Sequence, residues 1–385
     1  RLRKAADAAT ERDEWSFDDV HAAACLLAST DASAARHAIG LLERLVAAEE
    51  GPLTEAARTV LGRAAMATSL DVRSRAFLVL VQHEREARFL ATLWRFLDRP
   101  EVLLDDATRR RLSDTTLTER KLDAFLEATE ALCRDADPDP MRVAQVASLL
   151  RFLARYGASH PSAVRRLRVF LSRSMRFAEH ADVRGEAAAS RDALVAGFRR
   201  WLGPNSRIAV DPETGVEYRW SDVVAFADDV VPADRRRLTS AISGTAMLRE
   251  AVFLFNGGAS VRLSDVPPGG IWIRLLGSNH GKSVYRLTVQ TRFQGAYDMA
   301  VNVNHDLDPE QVGDECEWLV VCSGTGDRPP LVEEFGGYWP DQDLWTEEFI
   351  PGETLDRVVR RLARRRDAGE RLVPIWEFLA WTGMA

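Results

Sequence analysis

The sequence predicts a multidomain chain: an all-α helical repeat or bundle, followed by an α+β domain built on an antiparallel sheet. Three observations predict this. Apolar residues recur at helical spacing from about residue 16 to residue 201. Beyond Gly203-Pro204-Asn205-Ser206 the pattern changes to short alternating stretches. Composition shifts at the same place, with eight of the ten Trp beyond residue 200 and Ala-rich runs before it. The 385 residues therefore divide into a helical region, 1–202, and an α+β region, 203–385.

Helices come first. Ser16 is an N-cap, with Asp19 three residues on and an Ala/Leu run to Leu27. Ala38, Leu41, Leu42, Leu45 and Val46 share a face, as do Ala76, Phe77, Val79 and Leu80. Leu90, Leu93, Trp94 and Phe96 continue the series, then Leu122, Phe125, Leu126, Ala128 and Leu132, then stretches at 141–154, 161–177 and 182–201. Breaks fall at Gly51-Pro52, Pro100, Asp137-Pro138-Asp139-Pro140 and His160-Pro161, so eight or nine helices are expected. Asp71-Val72-Arg73-Ser74-Arg75-Ala76 and Asp182-Val183-Arg184-Gly185-Glu186-Ala187 share a DVRxxA pattern. It resembles the second-helix start of HEAT-type repeats, where the Asp caps the helix and the Arg packs along the ladder. The spacing is irregular, so an irregular bundle stands beside the solenoid. Either form implies a docking surface for a protein partner. The histidines of this half, His21, His37, His83, His160 and His180, are isolated and read as structural or surface residues.

The second half opens on a hairpin. Arg207–Asp211 and Val216–Trp220 flank the turn Pro212-Glu213-Thr214-Gly215. Ser221 or Asp222 opens a short helix, and one long helix is expected from Pro232 to about Phe255, ended by Asn256-Gly257-Gly258. Strands follow at Val261–Leu263, Ile271–Leu276, Ser283–Thr291 and Met299–Asn304. Then come a helix at 309–321, strands Leu331–Phe335 and Leu344–Phe349, and a helix at 354–366.

Charge and cysteine usage exclude several classes. Residues 1–200 carry 32 Arg/Lys against 30 Asp/Glu, and residues 201–385 carry 19 against 28. A net charge of −7 gives no electrostatic case for nucleic-acid binding. No apolar run is long enough to span a membrane. Cys25, Cys133, Cys316 and Cys322 form no CxxC and no zinc-ligand spacing, which fits a reduced cytoplasmic chain. The chain begins at Arg1 and stops at Ala385, just after an amphipathic stretch from Trp376 to Trp381, and is expected to be a piece of a longer protein.

The most informative segment is Leu276-Gly277-Ser278-Asn279-His280-Gly281-Lys282-Ser283-Val284-Tyr285-Arg286. Its Gly-Lys-Ser suggests a P-loop, but that motif needs four residues between its glycines and this loop has three. Its Ser must also open a helix, whereas 284–291 alternates like a strand. A glycine loop between two strands instead lets the backbone approach phosphates without Cβ clashes.

The segment resembles the LGxGxFGxVYK/R stretch of protein-kinase-like folds. Ala300-Val301-Asn302-Val303 stands where that family has its VAIK strand, and Glu315 and Glu317 lie on the helix that would supply the ion-pair glutamate. The stretch from Trp345 to Leu355 resembles the hinge, and its Ile-Pro-Gly-Glu-Thr-Leu part is similar to aminoglycoside and choline phosphotransferases. The resemblance covers residues 268–366, about a quarter of the chain. It implies a kinase N-lobe-like domain with ATP and Mg as cofactors. Gly277, Ser278, Gly281 and Lys282 would then lie at the phosphates, Asn302 and Glu315 in the cleft, and the backbone of Glu348 and Ile350 at adenine.

This sequence departs from the family at Asn302, where the family's lysine would be, and Lys282 in the loop is either its substitute or an ordinary solvated loop lysine. Asn302 and Asn304 share a strand face, which would alternatively line a pocket with amides. No His/Tyr-x-Asp loop and no Asp-Phe-Gly motif follows between 356 and 385, so no catalytic residue is assigned. The implied function is part of an ATP-dependent phosphotransferase with a helical docking domain. The alternative is a non-catalytic adaptor carrying a pseudokinase-like or unrelated α+β module.

Three further groups read as structural. The acidic run Asp306, Asp308, Glu310, Asp314, Glu315 and Glu317 suits a helix start better than a metal. Asp341, Asp343, Glu347 and Glu348 suit a soluble sheet edge, and Arg360, Arg361 and Arg364–Arg366 a helix C-terminus. Tyr338, Trp339 and Trp345 around Gly336-Gly337 are either sheet core or a ligand wall.

Overall fold

The computed structural model describes the chain apart from residues 1–14, 30, 48–50, 68, 99–104, 204–205, 260, 279–280, 323–333 and 352–385. Ten helices lead the described residues. They are α1 (Phe17–Leu27), α2 (Ala32–Ala47), α3 (Pro52–Ala64), α4 (Leu70–His83), α5 (Glu86–Leu97), α6 (Asp106–Ser113), α7 (Glu119–Cys133), α8 (Pro140–Ser159), α9 (Val164–Phe177) and α10 (Ala181–Leu202). Ser16 caps α1 as its sequence implies: its N–H donates to the Asp19 carboxylate, and Asp19 N–H donates back to Ser16 Oγ. Pro52 and Pro140 sit in the first turns of α3 and α8, where a missing N–H costs nothing. Helix α6 was not expected. Its Arg-rich sequence shows no apolar stripe, and the Asp105 cap on Ala107 and Thr108 starts it.

The substantial helix pairings in this half all join elements one or two places apart along the chain. That is the pattern of a stacked helical array. Phe89, Phe125, Phe152 and Tyr156 form a ladder of ring contacts through α5, α7 and α8, with centroids 4.9 to 6.0 Å apart. Buried Lys121 donates to the carbonyls of Val81 and Gln82 at the end of α4. The two aspartates of the repeated pattern do not act as caps. Asp71 pairs with Arg75, and α10 is capped by His180, whose ring nitrogen accepts from Asp182 N–H. Arg184 instead ties back to the carbonyls of Ala178 and Glu179.

Helix α10 ends at Gly203, whose φ of +72° suits glycine. The hairpin follows as expected, with β1 (Ile208–Val210) antiparallel to β2 (Glu217–Arg219). Next come α11 (Trp220–Val223), β3 (Val224–Phe226), α12 (Pro232–Gly244) and α13 (Met247–Phe255). The expected single helix over 232–255 is thus two helices, bent by 77°. Thr245 makes the break: its hydroxyl donates to Ala241 O, closing α12, and accepts from Met247 N–H, opening α13. The expected strand at Val261–Leu263 is absent. Asp265 accepts from Arg262 N–H and closes a turn there instead.

The main sheet has six strands. β4 (Ile271–Ser278), β5 (Lys282–Thr291) and β6 (Gly295–Asn304) form a meander, α14 (Pro309–Cys322) follows, and β7 (Phe335–Trp339) and β8 (Leu344–Glu348) complete it. The order is β3-β4-β5-β6-β8-β7, with β3 parallel to β4 and every other pair antiparallel. The strand expected at Leu331–Phe335 therefore lies at Phe335–Trp339, and 331–333 fall outside the described residues. So do the helix expected at 354–366 and the arginines from Arg360 to Arg366.

One sheet face is closed. Tyr285, Leu287, Val289, Met299, Val301 and Val303 are fully buried against Leu238, Ile242, Leu248 and Val252 of α12 and α13. Among the described residues no single helix is long and apolar enough to cross a membrane, and the bent pair α12–α13 is core packing. The other sheet face carries α14 at one end only. There Val312, Cys316 and Val320 pack on Trp345 and Phe335, together with Val169 of α9.

Candidate functional site

The site is built on that half-covered face. Period-two alternation puts Lys282, Val284, Arg286 and Thr288 of β5 on it. Register then adds Asn304, Asn302, Ala300 and Asp298 of β6 as their partners, and Trp345 opposite Asn302. Lys282 Nζ lies 2.6 Å from Glu315 Oε1 of α14 and 4.8 Å from the centre of the Trp345 ring. A cation over the face of a tryptophan gains from the ring quadrupole as well as from its carboxylate. Further along the strand, Arg286 forks onto Asp298 at 2.9 and 2.6 Å and stacks over Phe349 at 4.6 Å. The Arg286 hydrogen bonds hold the Asp298 carboxyl below its ordinary range.

Asn302 and Asn304 have separate fates. Asn304 exchanges hydrogen bonds with Leu307 and donates to Asp343, so its amide is spent on the turn before α14. Asn302 is buried, and its Nδ2 has no hydrogen-bond partner. Of the two amides expected to line a pocket, only that of Asn302 lacks a partner, and it is buried in the sheet rather than lining an open pocket.

The glycine loop joins β4 to β5 by antiparallel pairing, with a bulge at Leu276. Gly277 has open space where a Cβ would stand, whereas at Gly281 a Cβ would meet Leu307 at 2.7 Å. Gly281 O accepts from His305 N–H, which pins the loop to the end of β6. The Ser278 hydroxyl accepts from Ser283 Oγ. The two oxygens are 3.1 Å apart, on the side of the sheet away from Lys282. Lys282 and Glu315 are brought together at 2.6 Å. Glu348 ends β8, and its N–H is donated to Glu334 O. Ile350 is 56% exposed beyond it.

Sequence reasoning missed a polar chain under the loop. Ser283 Oγ is 2.8 Å from His305 Nε2, His305 Nε2 is 3.6 Å from Asp234, and Tyr285 donates to Asp234 at 2.6 Å. Burial and the Asp234 carboxylate push the Tyr285 hydroxyl up to about 12. Serine and aspartate meet the same ring nitrogen, so this is no relay through a histidine. It braces the loop stem against α12. Asp234 is 49 positions or more from the others in sequence, and no local signal could have joined them.

Sequence reasoning also missed how arginines of the helical half hold α14 and β7. Arg176 donates to Asp314 and Glu317, Arg191 donates to Glu317, and Arg173 reaches Val321 O. Buried Arg168 donates to the carbonyls of Phe335 and Gly336, and Arg199 pairs with buried Glu250 at 2.7 Å. The acidic run before and within α14 is thus partly an interdomain contact as well as a helix start. No group of His, Cys, Asp and Glu among the described residues could hold a metal ion. Trp339 and Trp345 are buried, which makes them sheet core, though Trp345 still offers its ring to Lys282.

The polar groups of this face are thus Lys282, paired with Glu315 over the Trp345 ring, the Arg286–Asp298 pair and the buried Asn302 amide. Comparison with family models, with curated proteins and with solved structures finds no match to this chain.

Proposed function

We propose that residues from about 268 onward form the nucleotide-binding half of a kinase-like, ATP-dependent phosphotransferase, with the helical half as docking domain and buttress. The observation that carries this is the Lys282–Glu315 ion pair at 2.6 Å, formed across the face of a sheet ordered β4-β5-β6-β8-β7 with α14 inserted after β6. A kinase N-lobe uses the same elements: a glycine loop between its first two strands, and a lysine oriented by a helix glutamate. Here Lys282 would bind the α/β-phosphates from the loop end of its strand, with Glu315 fixing its position. The backbone of Gly277, Ser278 and Gly281 would approach the phosphates. Adenine would lie along Val284 and Ala300, and reach the Glu348 carbonyl and the Ile350 backbone. Magnesium would enter with the nucleotide's phosphates. The four cysteines are unpaired, which supports a cytoplasmic setting.

A second reading is a non-catalytic adaptor in which the same module binds a partner. Asn302 at the family's lysine position favours it, because an amide cannot supply the missing charge. Differential scanning fluorimetry of the full chain with Mg·ATP tests the first reading. A saturable rise in Tm that is lost in Lys282→Met supports it. An unchanged Tm across millimolar Mg·ATP favours the adaptor.

A further inference from the structure

The junction between the helical half and the sheet encloses a cleft of about 520 Å³ that the nucleotide site does not use. Volumes of this size suit small molecules, and such sites concentrate where domains meet. Val195, Val320 and Phe335 give it apolar walls, and Arg191 and Arg199 stand beside them, 20% and 32% exposed. Arg168 and Ser172 also line it, and both are buried. Arg168 Nε and Ser172 Oγ have no hydrogen-bond partner. Buried polar atoms are nearly always paired, so two orphans in one cleft point to an occupant. Arg168 also forms no ion pair among the described residues: its other nitrogens meet only the carbonyls of Phe335 and Gly336.

We infer that this cleft binds a small organic carboxylate with a compact apolar body. An N–H and an O–H without partners call for an acceptor. Glu250 and Glu334 act on the Arg168 charge only from beyond ion-pair distance and do not offset its burial, so a negative acceptor is the favourable one. Three carboxylates line the cleft, Asp192, Glu250 and Glu317, and each is held by an arginine other than Arg168; Arg191 holds Asp192 at 3.0 Å. Arg199 holds Glu250 at 2.7 Å, and Arg176 and Arg191 hold Glu317 at 2.8 Å. Val195, Val320 and Phe335 then require an apolar body, which a bare inorganic anion lacks. Both orphan atoms are shielded from bulk solvent, so the head group sits at the floor of the cleft. Ordered water is the competing occupant, since it too can satisfy the two donors.

The test titrates the full chain with sodium benzoate at constant ionic strength, with benzamide as the neutral control. Benzoate is expected to raise Tm saturably by about 2 °C or more, and benzamide to leave it unchanged. Ala196 is exposed on the cleft lip. Ala196→Trp should keep the parent Tm and lose the benzoate response. Ser172→Ala should keep the response but weaken benzoate affinity about fivefold. The inference is overturned by no benzoate response, by an equal response to benzamide, or by a response that survives Ala196→Trp. Nucleotide takes no part in the titration, so its outcome is independent of the proposed ATP site.

Discussion

Lys282 of the glycine loop and Glu315 of α14 meet at 2.6 Å, across the half-covered face of the sheet. The two side chains are 21% and 39% exposed, so the pair contributes only about 0–1 kcal/mol to folding. On the proposed function, its value would lie in fixing an ammonium for the nucleotide's phosphates. Lys282→Met is expected to lower Mg·ATP affinity about 10- to 100-fold while Tm changes little. Glu315→Gln should weaken binding by less. The double variant should lose no more than Lys282→Met alone, because the glutamate acts through the lysine. Additive losses, measured by calorimetric titration, would show two independent roles.

Asn302 is a buried amide whose Nδ2 lacks a partner, in the middle of a well-packed sheet. Such a group costs about 1–3 kcal/mol of stability when nothing binds it. Asn302→Leu keeps the shape and removes the orphan. It should stabilise the ligand-free protein by about 1 kcal/mol in urea denaturation. On the proposed function it should also weaken nucleotide binding, since Asn302 lies on the strand face that carries Lys282. A destabilised variant with unchanged binding would make Asn302 a structural residue.

Arg168 ties α9 to β7 through two carbonyls, with its charge fully buried. Arg168→Met should cost about 2–4 kcal/mol, because the carbonyls of Phe335 and Gly336 lose their donor. Its neighbour Arg165 is 47% exposed, and Arg165→Met should cost well under half of that. Equal losses in the two variants would contradict the assignment.

Glu334 gives a pH signature. Burial pushes its carboxyl up to about 7, against the pull of Arg165 and Arg168. The folded state therefore holds a proton that the unfolded chain releases near its ordinary pKa, about 4.3. Stability should be fully present below that value and fall as pH rises through about 7. The loss amounts to about 1–3 kcal/mol. Glu334→Gln should flatten this part of the Tm–pH profile and raise Tm at pH 8. A parent profile that already rises between pH 5 and pH 8 would refute the assignment.

Sequence carried the helices and most strands because each follows from local periodicity or a cap. Ser16 with Asp19, Pro52, Pro140 and the alternation of 283–291 are of this kind. The misplaced elements were decided by single side chains. Thr245 splits a helix by serving both of its ends, and the Asp265 cap turns Val261–Leu263 away from strand. The loop, Lys282 and Glu315 were legible as a motif, but their 2.6 Å contact depends on sheet order, which no local pattern encodes. The contacts of Arg168, Arg176 and Arg191 with β7 and α14 span more than 120 positions. They were invisible for the same reason, and an Arg-rich helix surface gave no sign of facing another domain.

The most direct measurement is calorimetric titration of Mg·ATP into the full chain and into Lys282→Met. Expected is saturable one-to-one binding by the parent, weakened at least about tenfold by the substitution. Absence of binding in the parent, or equal binding by both proteins, would contradict a nucleotide site at Lys282 and Glu315.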